Sequence, residues 1–159
     1  MPNQSVAIDF INTFIDATVH VLKIQVEIEA RPGPIFLKRP DQVVLGDITG
    51  IVGIAARTFN GVLAISIPEK TFLKILSKML SEDVFKVDSD NIDGAAELTN
   101  MIFGHAKISL NEKGLGIKPS IPQSYLCTEA PPPFALGPMI VVPFSTEHGD
   151  FFVEIGIHH

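Results

Sequence analysis

The sequence predicts an α+β (mixed α/β) domain in which long helices pack on one antiparallel-rich sheet. Three observations carry that expectation. One long segment near the start and another past the middle repeat apolar residues at three- and four-residue spacing, the period of an amphipathic helix. Each half of the chain also contains a pair of apolar runs separated by turn residues, which read as hairpins. Finally, 46% hydrophobic against 19% charged residues in a chain of 159 is enough for a sizeable core, so residues 1–159 are read as a single domain. The second half echoes the first: a long helix, an extended connection, then a closing hairpin.

Taken in order, Val6 to Lys23 is the first helix. Phe10, Ile11, Phe14, Thr18, Val21 and Leu22 fall on one side and Asp9, Asn12, Asp16 and His20 on the other. Ile24 to Glu29 alternates apolar and polar residues, the pattern of a strand with one wet face. Arg31-Pro32-Gly33-Pro34 is a turn before the short apolar run Ile35-Phe36-Leu37. Asp47 to Ile67 reads as a long hairpin with Asn60-Gly61 at its tip, a pair that takes the positive φ angles of a tight turn. Ser66 and Pro68 are the expected N-cap and early proline of the next helix. Its buried stripe is Phe72, Ile75, Leu76, Met79 and Leu80, and a polar loop, Ser81 to Ser89, follows. Asp90 to about Lys113 is the third helix, stopped by Gly114 and Gly116. Ile117 to Leu126 is extended, and Ala130 to Pro133 is a rigid loop because three consecutive prolines exclude helix and central strand. Met139 to Phe144 and Phe151 to Ile157 close the chain as a hairpin turning near His148-Gly149.

Several function classes are disfavoured. The formal charge is −6 and the pI about 5.2. That argues against nucleic acid, whose affinity depends on Lys and Arg meeting phosphates. The N-terminus lacks a basic, apolar leader, and no apolar run is long enough to span a membrane, so a cytoplasmic location is expected. Cys127 is the single cysteine and has no basic or histidine neighbour in sequence to activate it. The five histidines are scattered, with His158 and His159 at the end. No spacing of His, Cys, Asp and Glu resembles a metal site, so no bound metal is expected.

The third helix holds the candidate functional residues. At about 100° per residue, Ile92, Ala95, Thr99, Ile102, Phe103, Ala106 and Leu110 form its core face. Asp93, Glu97, Asn100, Gly104 and Lys107 lie opposite, with Met101 beside them and expected to be exposed. Gly104 stands out because a mid-helix glycine costs about 1 kcal/mol relative to alanine. It leaves a flat spot one turn beyond Asn100, suited to close approach by another molecule. A Glu and an Asn three apart on a wet face are on most helices simply solvated, so the pair alone does not specify a function.

The run Asp93-x-x-x-Glu97-x-x-Asn100, continued by Met101-Ile102-x-Gly104-x-Ala106-Lys107, resembles the signature of the CheC/CheX/FliY family of chemotaxis phosphatases. The single copy, the chain length and the opening Phe10-Ile11-Asn12-x-Phe14-Ile15 are most similar to its CheX members. Ile121-Pro122-Gln123 falls where the family carries a proline after its active helix, and His105 departs from the pattern, where Asn is common. The resemblance implies a pseudo-repeated, CheC-like fold and a phosphatase acting on the phospho-aspartate of a CheY-type response regulator. By it, Asn100 would position the hydrolytic water and Glu97 would contact a lysine of the partner. Asp93, Met101 and Gly104 would contribute to partner binding, Asp93 alternatively acting on the helix dipole. Mg²⁺ would come from the regulator, with no cofactor held by this chain. Homodimerisation through edge strands is a further implication. Asp9 and Asn12 repeat the spacing on the first helix. Asp16 stands where Gly104 stands in the active helix and would repel a phosphoryl group, so that copy is read as structural. Two other readings stay open. One is a non-catalytic dimeric adaptor of the same fold that binds a response regulator or flagellar switch component; the other is an unrelated small-molecule binder.

Overall fold

The computed structural model describes residues 4–38, 45–126 and 138–158. Helix α1 (Gln4–Val21) buries Phe10, Phe14, Ala17 and Val21, successive members of one helical stripe. The chain does not then become the expected strand at Ile24 to Glu29. It widens into a π-helical turn, Leu22–Val26, and ends in the left-handed conformation at Glu27 (φ 59°). Leu22 and Val26, one turn apart, extend the buried stripe, while Ile24 is 56% exposed. Alternation survives only in the burial of Val26, Ile28 and Ala30, in chain that finds no ladder partner before Arg31.

The expected turn at Arg31–Pro34 contributes a short edge strand instead. Strand β1 (Arg31–Pro32) pairs with β7 (Met139–Thr146), and β2 (Phe36–Lys38) pairs with the other end of the same strand. Proline is tolerated there because an edge strand needs few ladder donors. In β2 the usual pattern is inverted. Phe36 and Leu37 face out, whereas Lys38 is buried in an ion pair with the fully buried Glu154, which also accepts a hydrogen bond from Ser66 Oγ.

Strands β3 (Ile48–Ala55) and β4 (Asn60–Ile67) form the expected hairpin, in register from Ile48 opposite Ile67 to Ala55 opposite Asn60. Its tip is Ala56 to Phe59, closed by Ala56 N–H donating to Phe59 O at 2.9 Å. Asn60-Gly61 is therefore not the turn but the first part of β4, held between β3 and β8 (Gly149–His158). Gly61 is required for close approach: a Cβ there would lie 2.7 Å from Gly156 O. With β5 (Lys118–Pro119) and β6 (Gln123–Leu126), the sheet is eight-stranded and antiparallel. Its order is β1-β7-β8-β4-β3-β5, with β2 also on β7 and β6 also on β3.

Helix α2 (Glu69–Leu80) is capped across the fold rather than locally. Asp47 Oδ2 accepts the Glu69 N–H at 2.7 Å, satisfying one of the orphan donors of the first turn. Ser66, the expected cap, is committed to β4 and to Glu154. Phe72, Ile75 and Leu76 are buried, but Leu80 is half exposed and leaves the stripe. Helix α3 (Gly94–Glu112) begins later than expected because Asp90 to Asp93 form turns. It is stopped where the sequence indicates, at Gly114 and Gly116, both with positive φ. Helices α1 and α3 lie against one another, and α3 lies on β3. Phe10, Phe14, Phe59 and Phe103 join them to the sheet in a core of edge-to-face and tilted rings. No helix among the described residues is long and apolar enough to cross a membrane. Cys127, the expected loop at Ala130–Pro133 and His159 lie outside the described residues.

Candidate functional site

Three contacts hold the start of α3 in place. Gly50 of β3 lets the helix lie directly on the strand, since a Cβ at that position would sit 2.2 Å from Ala95 O and 2.3 Å from Thr99 Oγ1. Gly94 admits α2 in the same way, its missing Cβ leaving room for Leu76 Cδ1. Ser124 Oγ, from β6, accepts the Ala96 N–H at 2.8 Å, which satisfies a first-turn donor that the helix cannot. Ser124 was not foreseen; a hydrogen bond spanning 28 residues has no local sequence signature.

On this platform Ala95, Thr99, Ile102, Phe103, Ala106 and Leu110 are buried as expected; Leu98, not expected on the core face, is buried with them, and Ile92 is only half-buried in the turn before the helix. Asp93, Glu97, Asn100 and Gly104 are exposed together on the outer face. Neither Glu97 nor Asn100 makes a side-chain hydrogen bond or ion pair with another described residue. A Cβ on Gly104 would meet nothing within 4 Å, so the flat spot is real and open to solvent. Met101 is the exception. It is half-buried and packs against the edge of the core rather than standing exposed, because its unbranched thioether chain can lie along apolar neighbours. Ile108, one turn past Gly104 on this side, is 64% exposed and was missed. It falls on the same helical stripe as Glu97 and Gly104, a signal the period contains.

The surroundings divide the helix clearly. His105 turns toward α1 and stacks on His20, with ring centroids 4.2 Å apart, so it borders the face rather than forming it. On α1, Asp9 and Asn12 are also exposed, but Asp9 lies 3.9 Å from Lys113 Nζ and Asp16 lines a groove with His105. Among the described residues no group of three or more His, Cys, Asp or Glu side chains could hold a metal ion. The outer face of α3 thus presents a carboxylate and a carboxamide one turn apart on a braced helix, with Glu97 also at the edge of a groove shared with α2. An exposed helix face of this kind can enter a cavity in another macromolecule.

Comparison with known proteins gives a consistent answer. Residues 48–144 match the family described as chemotaxis phosphatase CheX. Among solved structures, the chain is similar to a CheC-like superfamily protein from Shewanella sp. PV-4. The two are 32% identical over 95% of this chain and 98% of that one, with a TM-score of 0.80. It is also similar to the chemotaxis protein CheX of Vibrio vulnificus, at 28% identity over 94% and 99% of the two chains and a TM-score of 0.81. At 24% identity the likeness to the CheX–CheY–BeF3–Mg²⁺ complex of Borrelia burgdorferi is one of fold, with 94% and 98% coverage and a TM-score of 0.73. No curated protein sequence matches this chain.

Proposed function

Because the chain belongs to the CheX family of chemotaxis phosphatases, we propose that it hydrolyses the aspartyl-phosphate of a CheY-type response regulator with the outer face of α3. The observation that carries this reading is the placement of Glu97 and Asn100 together, exposed and without a side-chain partner among the described residues, near the bare backbone at Gly104. In this mechanism α3 enters the phosphorylated pocket of the regulator. The Asn100 carboxamide, both donor and acceptor, holds a water in line with the phosphorus–oxygen bond to the aspartate. The water oxygen forms a bond to phosphorus as that bond breaks, yielding inorganic phosphate and a free carboxylate, and the displaced water proton passes to phosphate or solvent. The transition state of phosphoryl transfer is loose, so positioning is what the helix contributes and no strong base is needed. Glu97 pairs with a regulator lysine near the phosphoryl group; a carboxylate aimed at the phosphate itself would repel it.

Asp93, Met101 and Gly104 complete the docking face in this reading, Met101 through the portion of its side chain that remains exposed. Mg²⁺ belongs to the regulator, a division of labour in keeping with the Borrelia complex, which contains Mg²⁺ together with CheX and CheY. A cytoplasmic location follows from such a partner. Homodimerisation is part of the same proposal, and the exposed Phe36 and Leu37 on edge strand β2 support it. The test is the decay of phosphorylated response regulators, taken one by one with and without this protein. Accelerated decay of at least one is expected. Binding to a regulator without acceleration would leave the adaptor reading instead.

A further inference from the structure

We propose that the groove between the end of α2 and the start of α3 receives an apolar side chain flanked by basic residues on the regulator, and that this contact selects which regulator is served. The inference rests on the phosphatase reading above and adds a specificity surface to it. The groove has a volume of about 780 Å³ and runs from Leu76, Met79 and Leu80 on α2 to Gly94 and Glu97 on α3. It is therefore continuous with the face that carries the proposed chemistry. Phe85 walls it and is 85% exposed, and Leu80 is 50% exposed. An exposed phenylalanine in a polar loop, lining the same groove as an exposed leucine at the end of α2, marks an apolar surface kept for a partner.

Charge defines the occupant. Glu82, Asp83, Asp88, Asp90 and Asp93 line the groove, with Lys86 as the cation among its lining residues. An acidic rim around an apolar floor favours an apolar anchor flanked by Lys or Arg and rejects acidic segments. The far side of Phe85 contrasts with it. The groove there shares Glu82 and Asp83 and adds Glu27, but Lys70, Lys74 and Lys78 offset these acids, and it includes no residue of α3. The acidic groove is also preformed. Asp88 Oδ1 accepts the N–H groups of Asp90 and Asn91, and Asn91 Oδ1 accepts that of Asp88, each at 2.9 Å. Asn91 Nδ2 donates to Lys86 O, and Ser77 Oγ accepts the Val84 N–H. Little conformational freedom is left to lose when the groove is filled.

The experiment uses a phosphorylated regulator that the wild-type protein dephosphorylates, with Phe85→Ser and Glu82→Lys/Asp83→Lys as variants and melting temperature measured alongside. All three side chains are exposed, so both variants should fold. KM is expected to rise about tenfold in each, with kcat within twofold of wild type. The charge variant should also flatten the salt dependence of kcat/KM. Asn100→Ala, run in parallel, should lower kcat instead. If both groove variants keep KM within twofold while Asn100→Ala abolishes turnover, the groove is not a docking surface, although the phosphatase reading stands. If only the charge variant is silent, the occupant is not basic and the inference fails in that form. If Asn100→Ala turns over like wild type, the phosphatase reading fails and the groove inference falls with it.

Discussion

Gly104→Leu separates the stability of α3 from its use. Gly104 lies mid-helix with open space on its Cβ side, so the substitution removes a helix defect without a clash. Leucine is nearly as good a helix former as alanine, and the gain over glycine is about 1 kcal/mol. For a chain of this size that corresponds to a rise in melting temperature of about 2–4 °C. The new side chain would project from the face proposed to enter the regulator, one turn beyond Asn100. Docking should weaken, and kcat/KM for phospho-regulator should fall at least tenfold; Gly104→Ala should gain stability with a smaller loss. The assay pairs thermal unfolding with binding to a Mg²⁺–BeF3-loaded CheY-type regulator and with phosphate release. A Gly104→Leu variant that melts higher yet binds and turns over like wild type would show that this face does not dock. One that melts lower would show that the space at Gly104 is not free.

Three further outcomes are expected. Glu97→Ala should raise KM and lower kcat with an unchanged melting temperature, because its proposed partner lysine loses its counter-charge; equal affinity and rate would remove that contact from the mechanism. Asp47→Ala should cost about 1 kcal/mol by uncapping α2, seen as a fall of about 2–4 °C in melting temperature with kcat unaltered; an unchanged melting temperature would show that the cap contributes nothing. Chelation of Mg²⁺ should stop turnover without shifting the melting curve of the isolated protein, and a metal-dependent melting temperature would place an ion in this chain instead.

The parts of the fold that were legible in the sequence are those with a long period and marked ends. Helix α3 is bounded by glycines, and its core face follows from spacing, so the joint exposure of Glu97, Asn100 and Gly104 could be read in advance. What that face does is not contained in the period and comes from family resemblance. The misreadings have physical causes. Ile24 to Glu29 alternates, yet Leu22 and Val26 are also one helical turn apart, and the helix prevailed because their burial continues the α1 stripe. Asp47 caps α2 from 22 residues away and Ser124 braces α3 from 28, distances at which no local window carries information. Asn60-Gly61 has the composition of a turn, but β4 is flanked on both sides, so close backbone approach rather than positive φ explains the glycine. Phe85 lies in an aperiodic loop, where nothing in the sequence separates a buried phenylalanine from an exposed one.

The central claim is that Asn100 positions water for attack on the regulator's phospho-aspartate and is not needed for the fold. Single-turnover decay of a phosphorylated CheY-type regulator, with wild type and with Asn100→Ala at equal and saturating concentration in the presence of Mg²⁺, tests it most directly. The account predicts that Asn100→Ala melts like wild type, still binds the regulator, and leaves decay at the regulator's own unassisted rate. A folded Asn100→Ala variant that retains more than half of the wild-type acceleration would contradict it.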